Sequence, residues 1–431
     1  MNILIVGAGG REHTLAWKLK QSPLCEKLFI APGNAGTAQC GTNLQIATTA
    51  FEELAKASKQ HKIDLLLVGP EEPLVKGIYD FFKNDPATAH IQVIGPSAEA
   101  SLLEGSKAYA KAFMQRHQVP TAVYREFTVD NFDEGLAYIK SHTLPIVLKA
   151  DGLAAGKGVL ICKSYLEASA EFDLMIHRHK FGEAGNKVVI EEFLTGIEMS
   201  VFALTDGKDF VLLPEAKDYK RVGEGDTGLN TGGMGAVSPL PFFDEALKQK
   251  ILDRIVKPTI DGLHNDGLNY HGFVFFGLMI TPQLEPMVIE YNCRMGDPET
   301  EVVIPRITND LLDILQAMSQ QRLHEIKIVT DPRAAATIVA VSGGYPGYYE
   351  KGKTIDGIEA EKNNGETIVF HSGTTSKDGA VMTNGGRVLA VTSFGTDIAD
   401  AVHKSKERLI DIYFDDINYR RDIGFEFVEK N

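Results

Sequence analysis

The sequence predicts an α/β and α+β multidomain protein: an N-terminal doubly wound α/β domain, a central two-lobed domain and a small, mixed, β-rich C-terminal domain. Three observations lead there. A chain of 431 residues exceeds what one hydrophobic core usually serves and fits about three domains. Its first hundred residues alternate short apolar runs with helix-period patterns, the rhythm of a parallel sheet covered on both faces. From about residue 334 the strands are short and separated by Gly and Pro turns.

Taken in chain order, Ile3–Val6, Leu28–Ile30, Leu65–Val68 and Val93–Ile94 read as buried parallel strands. Helical patterns around 12–21, 51–61 and 73–84 separate them. A linker and helix follow near Pro96–Gln115. The stretch 121–194 reads as strand, loop, strand (Pro145–Lys149, Val159–Cys162), then a helix and the strand Val188–Phe193. Residues 198–330 resume an α+β pattern with Gly-rich inserts, and a final helix near 397–412 closes the chain. The predicted domains are 1–103, 104–330 with a flap subdomain over about 121–194, and 331–431. Neither internal repeats nor low-complexity tails occur.

Composition narrows the function classes. With 44 basic and 58 acidic residues the net charge is −14, which disfavours a broad nucleic-acid surface, so a phosphate site has to be built locally. No apolar run approaches the roughly 20 residues that cross a bilayer. The N-terminus runs straight into a strand without a basic leader, and Cys25, Cys40, Cys162 and Cys293 are scattered with no metal-type or disulfide spacing. A cytoplasmic enzyme is expected.

The most informative stretch is Ile289-Glu290-Tyr291-Asn292-Cys293-Arg294-Met295-Gly296-Asp297-Pro298-Glu299. On a strand Val288–Asn292, side chains two apart share a face, so Glu290 and Asn292 project together beside Val288, with Ile289 and Tyr291 opposite. A carboxylate beside an amide oxygen suits Mg²⁺ held jointly with phosphates. Arg294 at the strand end offers a fork for a phosphoryl group or carboxylate. A solvent-facing edge strand explains the same pattern equally well.

Two glycine loops add weight to the first reading. Gly7-Ala8-Gly9-Gly10-Arg11-Glu12-His13 lies between a strand and a helix, where free amides and the positive helix end suit a phosphate. Glu12 stands where a dinucleotide fingerprint needs Gly, and the second strand runs into Ala31-Pro32-Gly33-Asn34-Ala35-Gly36-Thr37 instead of an acidic ribose partner. A smaller phosphate-bearing ligand fits better than NAD; a tight, ligand-free turn is the alternative. Lys149-Ala150-Asp151-Gly152-Leu153-Ala154-Ala155-Gly156-Lys157-Gly158 is followed by a strand rather than the helix of a P-loop. It reads as a flap over phosphates, with Lys149 and Lys157 as point charges. Downstream come Glu198, the basic pair Lys220-Arg221 and the long loop Asp226–Gly235.

Together these motifs resemble the ATP-grasp superfamily and, within it, the glycinamide ribonucleotide synthetase family of purine biosynthesis. The resemblance runs from Gly9–His13 through Pro32–Thr37, Val68–Leu74, Lys149–Gly158, Asn230-Thr231-Gly232-Gly233-Met234-Gly235-Ala236 and Arg294–Glu299 to Asn384-Gly385-Gly386-Arg387-Val388. It implies a central ATP-grasp domain that joins glycine to 5-phosphoribosylamine through a glycyl phosphate, releasing ADP and phosphate. It implies ATP under the flap (Gly156, Lys157, Gly158), its adenine at Glu191, Glu192, Phe193 and Leu194, and its ribose at Glu198. Lys107, Lys149, Arg221 and Asn230 would meet its outer groups, and Glu290 and Asn292 match the family's ligands for Mg²⁺, with Mn²⁺ as a substitute. Gly9, Gly10, Arg11, Gly33, Asn34, Glu71, Thr231, Gly232, Gly233, Met234 and Arg294 are implied substrate contacts, and Lys149, Arg294 and Asp297 catalytic groups. Met295 replaces a more usual aromatic. Gly277 stands where many relatives carry another metal carboxylate, leaving Asp297 or a residue from elsewhere for that place. His13 and His271 are the candidate general bases, and a monomer or weak homodimer is expected.

Overall fold

The computed structural model describes residues 1–153, 158–359 and 365–428. Its N-terminal sheet is parallel, in the order Thr42–Asn43, Lys27–Pro32, Asn2–Gly7, Leu65–Val68, Gln92–Ile94. Ile3, Leu4, Ile5, Val6 and Leu65 to Leu67 are 0% exposed, so the sheet is covered on both faces as its unbroken apolar runs require. Strand order reverses between Asn2–Gly7 and Leu65–Val68, which opens a crevice at their carboxyl ends, where such sheets bind ligands. The helix expected over 73–84 is two, Glu71–Val75 and Ile78–Asn84, broken at Gly77 with φ 85°.

The flap lobe is an antiparallel sheet, Tyr124–Thr128, Lys187–Glu192, Ile146–Ala150, Val159–Cys162, with its own core of Phe127, Ile139, Leu148, Phe172 and Ile190. Tyr124–Thr128 and the helix Phe132–Ser141 were not expected. Only Phe127 of that edge strand is buried, so no apolar run advertises it. The second lobe is the antiparallel sheet Phe210–Leu212, Ile197–Thr205, Gly272–Ile280, Pro286–Asn292.

The C-terminal sheet runs Lys217–Asp218, Gly235–Ser238, Ala334–Val341, Arg387–Gly395, Thr367–His371, backed by the helix Ile398–Ile410. Two of its strands come from the middle of the chain, so the sheet ties the glycine-rich loop 231–234 to the last third of the sequence. Among the described residues, no helix is long and apolar enough to cross a membrane.

Candidate active site

A cleft of about 1300 Å³ opens where the N-terminal domain, both central lobes and the C-terminal domain meet. Gly9, Arg11, Glu71, Lys107, Lys149, Gly158, Glu191, Arg221, Asn230, Thr231, Gly232, Glu290, Asn292, Arg294 and Asp297 all line it. Residues predicted from motifs scattered over 290 positions therefore converge on one space.

The strand Pro286–Asn292 carries a β-bulge. Gly277 pairs with Glu290 and Leu278 with Val288, leaving Ile289 without a partner. Val288 and Tyr291, at 0% and 2% exposure, both turn into the core, while Glu290 and Asn292 face the cleft. This corrects the expectation that Val288 shares the face of Glu290: the extra residue breaks the period of two. Among the described residues Glu290 takes no hydrogen-bond donor, and Asn292 Oδ1 accepts one bond from Arg294 Nη2 at 3.0 Å, keeping a lone pair free. Opposite Glu290, Gly277 adds no side chain to the sheet face. Two hard oxygens with spare capacity at the edge of this cleft fit Mg²⁺, which keeps only one or two protein ligands alongside substrate phosphates.

Lys149 is buried at 5% exposure, with Nζ 3.0 Å from Glu191 Oε2 and 3.1 Å from the carbonyl of Ile289. Lys111 reaches the same Glu191 oxygen at 3.2 Å. Burial pushes the Lys111 pKa down to about 8, against the pull of Glu191. Glu191 Oε1 is buried without a hydrogen-bond partner. Glu191 is thus the one member of the predicted adenine set on the cleft wall; Glu192, Phe193, Leu194 and Glu198 lie outside the lining. Glu192 Oε1 accepts the Val123 N–H at 2.9 Å.

The flap base is pinned by Asp151, whose Oδ1 accepts Ser106 Oγ and the Ala108 N–H, both at 2.9 Å. The carboxylate thereby sits at the N-terminus of the helix Lys107–Arg116, where negative charge is favoured. Lys107 Nζ lies 3.4 Å from the Gly152 carbonyl. Gly156 and Lys157 lie outside the described residues.

At the opposite end, Arg294 pairs with Glu104 at 2.7 Å and stands 3.5 Å from Glu71. Burial raises the Glu104 pKa despite Arg294; for Glu71, Arg294 and Arg11 overcome burial and lower it. Asp297 meets Arg387 at 3.1 Å and its Oδ2 accepts the Arg11 N–H at 3.4 Å. Burial alone would raise Asp297, but Arg387 and Arg11 hold it below the ordinary carboxylate value. Asp297 is thereby held between Arg387 and Arg11 at the cleft wall. Arg387 also donates to the carbonyls of Gly232 and Asp297, both at 2.7 Å.

Several expected contacts are turned elsewhere. Asn34, 6% exposed, donates to the Ala8 and His371 carbonyls at 2.8 Å each and accepts the Gly36 and Thr37 N–H groups, so no capacity is left for a phosphate. Gly10 packs on Glu301 and Ser372, Gly33 on Asn43 and Thr37, and Met234 is wholly buried in the core; neither they nor Gly233 line the cleft. Glu12 fills the space beneath Gly7 and Gly69 and accepts the Gly9 N–H at 2.6 Å, which is why a carboxylate stands in the loop. His13 Nδ1 accepts the His371 N–H at 2.7 Å, and burial holds its pKa well below the ordinary value. His271 stacks on Tyr79, also outside the cleft. Both histidines are therefore structural. Met295 is core, at 1% exposure.

The cleft also contains residues outside the expected site set: Lys111, Asp218, Lys220, Glu299, Tyr345, Tyr349 and Arg387. Lys220 Nζ stands 2.7 Å from Asp218 and 3.4 Å from Glu198, and these with Glu299 hold its pKa well up against burial. Glu299 is 4% exposed; burial and Asp218 push its pKa up to about 7.

The chain is similar to known proteins over its whole length. Three models of phosphoribosylglycinamide synthetase match in sequence order: the N domain over residues 1–104, the ATP-grasp (A) domain over 105–300 and the C domain over 335–426. The phosphoribosylamine–glycine ligase of Escherichia coli strain K12 is 45% identical over 433 residues, covering 100% of this chain and 99% of its own. The ligase of Pasteurella multocida is 46% identical over 435 residues, with both chains fully covered. Among solved structures, the phosphoribosylamine–glycine ligase of Thermotoga maritima superposes with a TM-score of 0.84 at 34% identity, covering 98% of this chain and 100% of its own. A biotin carboxylase complex from Campylobacter jejuni, at 16% identity and a TM-score of 0.70 over 99% and 94%, shares the fold alone.

Proposed function

The chain belongs to the phosphoribosylglycinamide synthetase family, and from that premise we propose how its residues divide the work of an ATP-dependent phosphoribosylamine–glycine ligase. The activity joins glycine to 5-phosphoribosylamine in purine biosynthesis, giving glycinamide ribonucleotide, ADP and phosphate through a glycyl phosphate. The ATP-grasp fold carries ATP with a divalent cation.

One observation supports the division best: Glu290, without a hydrogen-bond partner among the described residues, stands beside Asn292 at the lip of the cleft that Lys149 and Arg294 enter. Glu290 and Asn292 would hold Mg²⁺, or Mn²⁺ in its place. Bound there, the cation would supply positive charge to offset that of the phosphoryl group in transfer. Lys107, Lys149, Arg221 and Asn230 would grip ATP, with the flap segment Gly156–Gly158 above it and the strand end Glu191–Leu194 and Glu198 at adenine and ribose. Arg294 would orient the glycine carboxylate, whose oxygen attacks the γ-phosphorus as ADP leaves. Gly9, Arg11, Glu71, Thr231, Gly232 and Asp297 would line the acceptor end.

The phosphoribosylamine nitrogen then attacks the acyl carbon, the C–O bond to phosphate breaks, and the nitrogen loses a proton. Glu299 faces the cleft with a pKa of about 7 and is the group suited to take that proton. The protein's main contribution is positioning and charge neutralisation, since phosphorylation already supplies the leaving group. We place the enzyme in the cytoplasm as a monomer or weak homodimer.

The test is ADP release with phosphoribosylamine present. It should depend on glycine; equal release with and without glycine overturns the assignment.

A further inference from the structure

Lys111 carries no motif, yet it sits at the junction of the two lobes. It lies on the helix Lys107–Arg116, is 2% exposed, and makes two chains of contacts. The first is ionic: Lys111 Nζ lies 3.2 Å from Glu191 Oε2, the same oxygen lies 3.0 Å from Lys149 Nζ, and Lys149 donates to the Ile289 carbonyl at 3.1 Å. The second is neutral: Lys111 donates to Thr121 Oγ1 at 2.7 Å, and that hydroxyl donates to the Val288 carbonyl at 2.7 Å. Both end on the two residues of the bulge that turns Glu290 into the cleft.

We infer that Lys111 is a positioning residue: it shares the Glu191 carboxylate so that Lys149 stays directed at the nucleotide, and it braces the bulged strand that presents Glu290 and Asn292. With one carboxylate between two ammonium groups, the trio carries a net positive charge toward the triphosphate. Without the Lys111 charge, Glu191 keeps Lys149 as its one cation among the described residues, and a buried Lys–Glu pair in low dielectric holds tightly. Lys149 would then be drawn from the phosphates to Glu191. The inference rests on the reading that Lys149 meets the ATP phosphates.

The charged and titratable groups facing Lys111 are few. Glu191 and Glu192 come from the strand Lys187–Glu192, Lys149 from Ile146–Ala150, and Tyr124, whose ring centroid lies 5.4 Å from Nζ, from Tyr124–Thr128. Burial lowers the Lys111 pKa to about 8, so its proton is lost on the alkaline side of neutrality.

Lys111→Met, Lys111→Arg and Lys149→Met separate the possibilities. Lys111→Met is expected to lower kcat/KM for ATP by about 10- to 100-fold, as loss of an orienting partner does, with KM for glycine unchanged. Lys111→Arg, which keeps the charge, should restore most of the rate and move the alkaline fall in kcat/KM for ATP from about pH 8 to higher pH. Should Lys111→Met not fold, Lys111→Gln takes its place. Wild-type kcat/KM for ATP in the neutral variant overturns the inference, as does an alkaline limb that Lys111→Arg leaves in place. Full activity in Lys149→Met would instead sink the underlying reading of Lys149.

Discussion

Glu301 offers the sharpest test of the charge balance around the cleft. It lies in the helix Thr300–Arg306, is 0% exposed, and neither carboxylate oxygen has a hydrogen-bond partner. Burial, reinforced by Asp297, raises its pKa well above the ordinary value, with Arg387 and Arg11 only partly opposing. An ordinary Glu titrates near 4.3, so keeping this proton at higher pH costs stability at about 1.4 kcal/mol per pH unit. The sign follows: stability is fully present below the unfolded value and is lost as pH rises toward the folded one. Glu301→Gln has nearly the same shape and no ionisation to suppress, although its amide would bury unpaired donors at about 1–3 kcal/mol. The variant should therefore match or fall below the parent at pH 5. Its advantage should grow as pH rises from 5 toward 8, with a slope no steeper than about 1.4 kcal/mol per pH unit. Urea unfolding of both proteins at pH 5, 6.5 and 8 measures this. A stability difference that stays constant across that range would refute the assignment of Glu301 as a buried, proton-retaining carboxyl.

Two predictions concern chemistry. Glu290→Ala should lower kcat by at least about 10²-fold while leaving circular dichroism and the melting midpoint nearly unchanged, because its carboxylate supports transferred charge and has no hydrogen bond among the described residues; retained turnover would contradict the cation role. If Glu299 accepts the proton, kcat should rise with pH through about 7. Glu299→Gln should remove that acid limb and cost about 10²- to 10⁴-fold, and an unchanged limb would move the base elsewhere.

How much of the fold could be read from the sequence follows from how its strands are buried. Leu65–Val68 is covered on both faces, writes an unbroken apolar run, and is found where its pattern places it. Tyr124–Thr128 is an edge strand with one buried residue, and Thr42–Asn43 has only two residues, so neither leaves a period to detect. Gly235–Ser238 follows a loop and writes no apolar run, and its partner Ala334–Val341 lies a hundred residues away, so nothing local encodes that pairing. The bulge at Ile289 changes which neighbour shares a face with Glu290, a shift of one residue that periodicity alone does not register.

The site divides along a different line. Lys149, Glu290, Asn292 and Arg294 are legible because each sits in a motif whose geometry aims it, on a strand or at its end. Asn34 misleads for a physical reason: the Gly33-Asn34-Ala35-Gly36-Thr37 turn needs an Asn to bind its own amides, and that chemistry looks the same on paper as an Asn offered to a ligand. Lys111 lies in no motif, and Glu299 and Arg387 lie in motifs that do not show their roles, because those roles are defined by partners distant in sequence; Arg387 acts on Asp297 and Gly232, ninety and more positions away. Around this cleft nearly every cation is shared: Lys149 and Lys111 on Glu191, Arg294 between Glu71 and Glu104, Arg387 on Asp297, Lys220 between Asp218 and Glu198. Removing one member changes the charge left on its partner as well as its own contact. The informative experiment at any of these pairs is therefore the double substitution, whose departure from additivity measures the coupling that a single variant conceals.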